Sequence, residues 1–182
     1  MTAPLRSLSD GAVTLRPWRE SDAPALVGLC RDAEIVRYTR VPANYTEAMA
    51  RRWMQDKYVT GASGEEAHFA VVAAPDGELL GSLGLHLESE GRARVGYFLG
   101  AAARGRGIAT RAVRLVSRWA FDELGVARLE LVTDPENQAS QRVAERTGFT
   151  REGVLRSFME RKDGRRDAVM FSLLQGDLGP GQ

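Results

Sequence analysis

The sequence is poor in several features that mark particular classes of protein. Cys30 is its only cysteine, so no disulfide can form within the chain, which favours a reducing compartment. No apolar run approaches the roughly 18 residues of a membrane-spanning helix, and the N-terminus lacks the apolar core of a signal peptide. The net charge is only +1, which argues against nucleic-acid binding driven by bulk charge. We therefore expect a cytoplasmic protein whose partners include neither a membrane nor a nucleic acid.

What the chain does contain is enough length and apolar content for one substantial core. Its 182 residues, 43% of them hydrophobic, predict a single domain over 1–182 with flexible ends at 1–11 and 176–182. The pattern along the chain predicts a strand, two helices, an antiparallel meander, a helix, a strand, a helix and a closing hairpin. This order indicates an α+β fold with a mixed sheet.

The most distinctive stretch joins a strand to a helix through a loop rich in glycine and arginine. Alternation of Val95, Tyr97 and Leu99 with Gly96, Phe98 and Gly100 predicts a strand over Arg92–Gly100, and apolar residues at helical spacing from Ile108 predict the helix. Gly105 and Gly107 permit a sharp turn just where the first N–H groups of a helix lack partners and the helix dipole is positive. We therefore predict a phosphate or pyrophosphate site here. No Gly-Lys-Ser/Thr follows the loop, and Thr110 stands where a dinucleotide motif has its third glycine, so neither nucleotide motif fits.

This loop resembles the acetyl-CoA loop of the GNAT superfamily of N-acetyltransferases, which is written Gln/Arg-x-x-Gly-x-Gly/Ala. Arg104, Gly107 and Ala109 fill its three fixed positions. In that family the backbone amides of the loop hold the pyrophosphate of coenzyme A. The resemblance thus names the phosphate-bearing ligand that the loop alone leaves open.

Two further motifs extend the resemblance over nearly the whole chain. Asn137-x-x-Ser140 is similar to the motif that begins a helix in this family, and the helix closes with the Gly-Phe pair at 148–149. Residues 152–167 look like the C-terminal region of the RimJ/RimL-like ribosomal-protein acetyltransferases. The resemblance implies a GNAT-like fold, with a mixed central sheet of about seven strands that splays at the acetyl-CoA site and helices on both faces.

Acetyl-CoA is the co-substrate that the resemblance implies, without a metal ion. The backbone amides of Phe98 and Leu99 would bind the pantetheine arm and the thioester oxygen, and Asn137 would contact the same arm. Asn137 is also among the best residues for a helix N-cap, and both roles can hold together. The loop and the first helical turn would hold the pyrophosphate through Arg104, Gly105, Arg106, Gly107, Ile108, Ala109 and Thr110.

Ser140 is the residue that the resemblance places near the sulfur of coenzyme A. There it would donate a proton or a hydrogen bond to the departing thiolate. The alternative is a solvated serine in the first turn of a helix. Other members of the family use a tyrosine near this point, and the sequence shows none beside Ser140.

The sequence does not single out a general base. Many relatives carry a glutamate just before the Gly-Tyr of the central strand, where this chain has Arg94. His86, Glu88, Glu160 and a water relay remain as candidates. An α-amine with a pKa of about 7.7–8.0 is roughly a quarter neutral at pH 7.4, whereas a lysine with a pKa of about 10.4 is neutral about one time in a thousand. An α-amine therefore needs less help from a base.

The function expected from these observations is direct transfer of acetyl from acetyl-CoA to a primary amine in a ternary complex. The shortage of bases favours a protein or peptide N-terminal α-amine. A small-molecule amine, such as an antibiotic or metabolite, and a non-catalytic acetyl-CoA sensor remain as alternatives. The oligomeric state stays open, a homodimer included, as does the use of other acyl groups.

Overall fold

A mixed sheet of eight strands runs through the computed structural model, which describes residues 5–75, 77–161 and 163–178. The strands are β1 Leu8–Ser9, β2 Val13–Pro17, β3 Glu66–Ala73, β4 Leu79–Leu87, β5 Arg92–Leu99, β6 Arg128–Thr133, β7 Thr150–Arg161 and β8 Gly164–Leu174. The helices are α1 Ala23–Cys30, α2 Ala33–Tyr38, α3 Glu47–Ser63, α4 Ile108–Leu124 and α5 Gln138–Arg146. The spatial order is β1-β2-β3-β4-β5-β6-β8-β7. The β5–β6 pair is parallel, and the other neighbours are antiparallel.

Helices cover both faces of the sheet, because the strands are apolar on both sides. On β3, Phe69 and Val71 belong to the core that α4 closes, whereas Ala70 and Val72 belong to the core that α1 and α3 close. The strongly amphipathic α4 buries its apolar stripe on the first face, with Val113 among the fully buried residues. The predicted α+β class and the two-sided helical cover are confirmed.

The sheet has one strand more than the predicted number, because the N-terminal segment is ordered sooner than expected. Leu8 is 7% exposed and lies opposite Leu15 of β2, so Leu8–Ser9 is a strand and not a frayed lead-in. At the other end, Gln175–Asp177 forms a single turn of 3₁₀-helix. The outermost parts of the two predicted flexible ends, 1–4 and 179–182, lie outside the described residues.

The parallel strands β5 and β6 separate before either of them ends. They are in register from Arg92, opposite Arg128, only as far as Val95, opposite Leu131. Beyond that point β5 stays paired with β4 up to Leu99, and β6 stays paired with β8. The sheet therefore splays between its two central strands, as predicted. None of the helices in the described part of the chain is long and apolar enough to cross a membrane.

Candidate functional site

A groove of about 1060 Å³ opens where β5 and β6 separate. At one end it meets the glycine loop and the start of α4, and at the other it reaches His86 and Glu88 at the end of β4. The predicted cofactor residues that line it are Phe98, Leu99, Arg104, Gly105, Gly107, Ile108, Ala109, Thr110, Asn137 and Ser140. Arg106 is outside the lining: its exposed guanidinium donates to the Ala102 carbonyl at 3.4 Å. The fold thus brings together residues from three separate motifs.

The glycine loop directs a set of free N–H groups into this groove. Gly105 and Gly107 have φ angles of 72° and 74°, in the left-handed region that favours glycine. Gly107 is the N-cap of α4, and within the described residues no side chain caps the helix there. Among the described residues, the first backbone hydrogen bond of the helix is from the Arg111 amide to the Gly107 carbonyl, at 3.1 Å. The amides of the three residues between them therefore remain available to an anion.

Arg104 is held by protein groups inside the groove wall. Its Nε donates to the Leu99 carbonyl at 3.1 Å, and its terminal nitrogens lie 2.9 Å from Asp32 and 2.6 Å from Glu34. These two carboxylates belong to the N-cap and the first turn of α2. Arg104 therefore anchors α2 to the glycine loop, and its role toward the cofactor remains a prediction.

Along β5, the backbone N–H and C=O groups of successive residues point alternately toward β4 and toward the gap between β5 and β6. The Gly100 amide donates to the Leu80 carbonyl at 2.9 Å, and the same register sets Phe98 opposite Ser82. In an antiparallel ladder every second opposing pair exchanges hydrogen bonds, so the polar backbone groups of Phe98 also face β4. A Cβ atom on Gly81 of β4 would lie only 2.2 Å from the Phe98 carbonyl oxygen, which agrees with this orientation.

The backbone groups of Leu99 face the opposite way, into the gap. Its carbonyl accepts the hydrogen bond from Arg104 across the loop, away from β4. By the same alternation the amide of Tyr97 also faces the gap. The register thus corrects one of the two predicted amides: Leu99 remains available, and Tyr97 replaces Phe98, whose side chain still lines the groove.

A tyrosine lies beside Ser140, contrary to the expectation from the sequence. The Tyr97 hydroxyl donates to Ser140 Oγ at 3.3 Å. Burial raises the pKa of Tyr97 to about 12, partly opposed by the hydrogen bond to Ser140, so the phenol keeps its proton at neutral pH. Asn137 Oδ1 accepts from the Ser140 amide at 3.0 Å, which confirms Asn137 as the N-cap of α5.

Tyr97 and Ser140 are 43 positions apart, so a motif search along the chain does not connect them. The order of the strands in the sheet is the feature from which this contact could have been predicted. The carboxyl ends of adjacent parallel strands meet at one edge of a sheet, so the end of β5 and the helix that follows β6 are neighbours. The alternation of β5 then decides that Tyr97, and not Phe98, faces α5.

The three side chains that are candidates for the general base, Glu88, Glu160 and His86, have very different surroundings. Glu88 is paired with Arg92 at 3.3 Å and with Arg94 at 3.0 Å, so two guanidinium groups already occupy its carboxylate. Glu160 is exposed on β7 and outside the groove lining. His86 lines the groove, and its Nδ1 lies 2.9 Å from Glu66 Oε1.

Glu66 is the centre of a polar cluster that also holds His68 and Lys57. His68 Nε2 lies 2.9 Å and Lys57 Nζ 2.5 Å from Glu66 Oε2. Desolvation acts to raise the pKa of Glu66, but hydrogen bonds from Lys57 and His68 and the charge of His86 lower it to about 2. Burial lowers the pKa of His68 to about 4, so its ring is neutral at physiological pH. One donor atom from each of Glu66, His68 and His86 falls within a span of 4.8 Å, a set that a metal ion is also able to use.

A second cavity, of about 550 Å³, adjoins the glycine loop at Gly107 and Thr110. Four arginines and one carboxylate are among the residues that line it: Arg111, Arg114, Arg118, Arg146 and Asp10. Arg111 is paired with Asp10 at 2.8 Å, and Arg114 donates to the Arg146 carbonyl at 2.7 Å. The excess of positive charge suits an anionic ligand next to the loop.

Comparison with known proteins agrees with this geometry. Residues 12–150 match the family model of the acetyltransferase (GNAT) domain, and the chain belongs to this family. It is 32% identical to the probable N-acetyltransferase YjcK of Bacillus subtilis (strain 168), over 93% of this chain and 98% of that protein. Members of the family use acetyl-CoA, so the chain is an acetyl-CoA-dependent acetyltransferase.

Solved structures share the fold at lower identity. RimJ of Mycobacterium smegmatis, solved with CoA-disulfide, superposes with a TM-score of 0.82 at 24% identity, over 97% of this chain and 88% of that one. The ribosomal-protein-S5-alanine acetyltransferase of Vibrio fischeri superposes with a TM-score of 0.82 at 19% identity, over 96% and 99% of the two chains. The RimJ/RimL-like resemblance is thus supported at the level of the fold.

Proposed function

We propose that the protein transfers the acetyl group of acetyl-CoA directly to a primary amine bound in the same groove, and that a protein or peptide N-terminal α-amine is the preferred acceptor. The observation that carries the proposal is the continuous groove between β5 and β6. Uncapped amides of α4 are at one end, Tyr97 and Ser140 lie beside the gap, and an opening near His86 is at the other end. Such a groove gives two substrates a common meeting point.

Each part of the groove has a role in this reaction. The amides at the start of α4 bind the pyrophosphate, and the amides of Tyr97 and Leu99 face the pantetheine arm and polarise the thioester carbonyl. The neutral amine nitrogen forms a bond to the carbonyl carbon, the carbon–sulfur bond breaks, and the proton that the nitrogen loses on becoming an amide neutralises the departing thiolate. Ser140 Oγ donates to that thiolate, and the Tyr97 hydroxyl supports Ser140 through their hydrogen bond.

The arginine-rich cavity beside the loop extends the cofactor site. Coenzyme A carries a 3′-phosphate on its adenosine in addition to the pyrophosphate. Arg111, Arg114 and Arg118 line this cavity on α4, one helical turn or two from the loop amides. The 3′-phosphate is the part of acetyl-CoA whose charge this cavity matches.

An α-amine is favoured as acceptor by its chemistry, and one structural neighbour is named for such an acceptor. It is partly neutral at physiological pH, whereas a lysine side chain is almost entirely protonated. The Vibrio fischeri neighbour is described as acting on an alanine of a ribosomal protein. A small-molecule amine is the competing acceptor.

A thiol-release assay over a panel of acceptors tests the proposal. The panel contains peptides with free N-terminal alanine or serine, the same peptides with blocked N-termini and one internal lysine, and a polyamine. We expect release of coenzyme A with the free N-terminal peptides and little with the blocked ones. Preference for lysine or polyamine would overturn the assignment of the acceptor, and absence of turnover with every amine would leave an acetyl-CoA sensor.

A further inference from the structure

Both histidines of the chain meet at one carboxylate on the acceptor side of the groove. His68 on β3 and His86 on β4 lie 5.3 Å apart between ring centroids, edge to face, and both contact Glu66. His86 keeps 43% of its side chain exposed, whereas His68 keeps 8%. Both rings line the groove, and that of His86 is by far the more exposed to a substrate there.

The charge on Glu66 fixes the tautomer of His86. Glu66 is ionised, because its pKa is about 2, and a carboxylate accepts hydrogen bonds but donates none. His86 Nδ1 therefore carries the hydrogen and donates it to Glu66 Oε1. The lone pair of a neutral His86 ring is left on Nε2, the nitrogen turned away from Glu66.

Two facing glycines leave room next to that nitrogen. Gly84 of β4 lies directly opposite Gly96 of β5. A Cβ atom on Gly84 would lie 3.5 Å from His86 Nε2 and 2.9 Å from the His68 ring, so the absence of a side chain there lets both rings sit against the strand. A Cβ atom on Gly96 would have no described atom within 4 Å. The space above these two glycines is open to the groove.

We propose that His86 Nε2 accepts the proton of the acceptor ammonium, and that Glu66 is the positioning residue that orients the ring. This inference rests on the proposed function. One proton moves from the ammonium nitrogen to Nε2, and the freed nitrogen lone pair attacks the thioester carbonyl carbon. As the carbon–sulfur bond breaks, the second proton that the nitrogen loses on becoming an amide passes through solvent to the thiolate, which leaves as the thiol. His86 releases the proton to solvent after the coenzyme leaves.

The other charged groups around His86 are compatible with this role. Its neighbours are Glu66 and His68 on β3, Lys57 on α3, and Glu88 and Arg94 toward β5. His68 is neutral, so it adds no positive charge beside an imidazolium. Lys57 is bound to Glu66, and Arg94 is bound to Glu88 and Glu130 at 3.0 and 3.4 Å. The ionised Glu66 supports the transient charge on His86, as a carboxylate supports histidine in a catalytic triad.

The same cluster is less suited to a divalent cation. The Lys57 ammonium lies 2.5 Å from Glu66 Oε2, where it repels a second cation. His68 Nε2 also contacts this oxygen, so a metal ion would have to displace two existing partners. A proton fits the cluster without displacing either.

The decisive experiment measures kcat/KM for the wild type and His86→Gln between pH 6 and 9.5, with an N-terminal peptide as acceptor. The variant is able to use only acceptor that is already neutral. We therefore expect kcat/KM of the variant to be about a hundredfold or more below the wild-type value at pH 6.5. The two values should become equal as the pH rises past the amine pKa. A peptide with an aminooxy group in place of the amine, which is neutral throughout this range, should react with both enzymes at similar rates.

Two further variants complete the design. Glu66→Gln should cause a smaller loss with the same convergence at high pH, because the ring is present but poorly oriented. Glu160→Gln, outside the groove, should match the wild type. If His86→Gln does not fold, His86→Ala with added imidazole replaces it, and rescue of the rate is the expected result.

Different failures lead to different conclusions. If the wild type acetylates no amine, the proposed function is wrong before any variant is compared. If the wild type turns over but the His86→Gln loss is constant across pH and equal for both acceptors, His86 has only a structural role. Loss of wild-type activity with a chelator, restored by zinc, would overturn the proposal in favour of a metal site.

Discussion

Ser140 has a hydroxyl placed between a helix cap and a buried phenol. Its amide donates to Asn137 Oδ1 at 3.0 Å, and its Oγ accepts from Tyr97 at 3.3 Å. Because Tyr97 already donates to that oxygen, the serine proton is free to point toward the coenzyme sulfur. This arrangement favours a catalytic role for Ser140, because a merely solvated serine in the first turn of a helix would lack such a partner.

Ser140→Ala should lower kcat and kcat/KM together, by about a hundredfold or more, because stabilisation of the thiolate acts in the transition state. Affinity for acetyl-CoA, measured by calorimetry, should be nearly unchanged. Tyr97→Phe, which removes only the hydroxyl that supports Ser140, should cause a smaller loss of kcat. Steady-state rates of Ser140→Ala within about threefold of the wild type would remove Ser140 from the mechanism.

At the scale of the elements, the junction between the glycine loop and α4 is the proposed binding site for the pyrophosphate of acetyl-CoA. Gly107→Val should weaken acetyl-CoA binding at least about tenfold, because a β-branched residue in the left-handed region costs about 1–3 kcal/mol and shifts the amides. Calorimetry measures the affinity, and thermal unfolding checks the fold.

Gly125→Val is the matched control for this change. Gly125 caps the other end of the same helix with a φ of 66°. A Cβ atom added to Gly125 would have no described atom within 4 Å. The control should lose similar stability but keep its affinity for acetyl-CoA. Equal affinities of the two folded variants would remove the loop from the cofactor site.

A buried ion pair joins β2 to the segment that starts α1. Arg16 and Asp22 are 6% and 7% exposed, and they form two hydrogen bonds of 2.8 and 2.7 Å. Burial acts to raise the pKa of Asp22, but the bonds from Arg16 and from the Arg19 amide outweigh it and lower that pKa. Asp22 thus serves to pair the buried Arg16, and its side chain makes no capping hydrogen bond to α1.

Asp22→Asn should destabilise the fold by about 3–5 kcal/mol at pH 7, because it leaves a buried guanidinium without its carboxylate. A carboxyl group with a lowered folded pKa stabilises the fold above its unfolded pKa of about 3.9, and this contribution is lost as pH falls toward the folded value. The difference in unfolding free energy between wild type and variant should therefore be full at pH 7 and shrink below about pH 4.

Urea unfolding as a function of pH measures this difference. Glu47→Gln, which breaks the exposed pair with Arg51 on α3, is the control and should change stability by less than about 0.5 kcal/mol. A difference for Asp22→Asn that does not vary with pH would contradict the assignment to this carboxylate.

For the molecule as a whole, the proposed function requires the groove to hold both substrates at once, with no acetyl-cysteine intermediate. Cys30, the only thiol, is 1% exposed, and burial raises its pKa to about 12, so it is not a thiolate at neutral pH. We expect sequential kinetics, with lines that intersect when both substrate concentrations are varied.

Two controls accompany this kinetic experiment. Cys30→Ala should keep kcat close to the wild-type value. Labelled coenzyme A should not exchange into acetyl-CoA when no amine is present. Parallel lines together with such exchange would indicate an acetyl-enzyme intermediate instead.

Local sequence patterns were sufficient for most of the elements, but not for the short helix α2, which is one helix more than the two predicted before the meander. Alternation and helical spacing predicted β5, α4 and α5, because each pattern reflects which side of the element is buried. The glycines at 105 and 107 predicted a free helix N-terminus, because few other residues adopt the left-handed backbone that they have. The first strand was missed because two residues are too few for any period.

What the sequence by itself determined is therefore the order of the main elements, the free N-terminal amides of α4 and the cap of α5. Only the tertiary structure decided which side of β5 faces the gap, and so exchanged the amide of Phe98 for that of Tyr97. It also brought Tyr97 to Ser140 and His86 to Glu66, pairs that are 43 and 20 positions apart. Pairing and register between strands depend on the whole sheet, because a side chain's neighbours across strands are set by long-range packing and not by its neighbours in the chain.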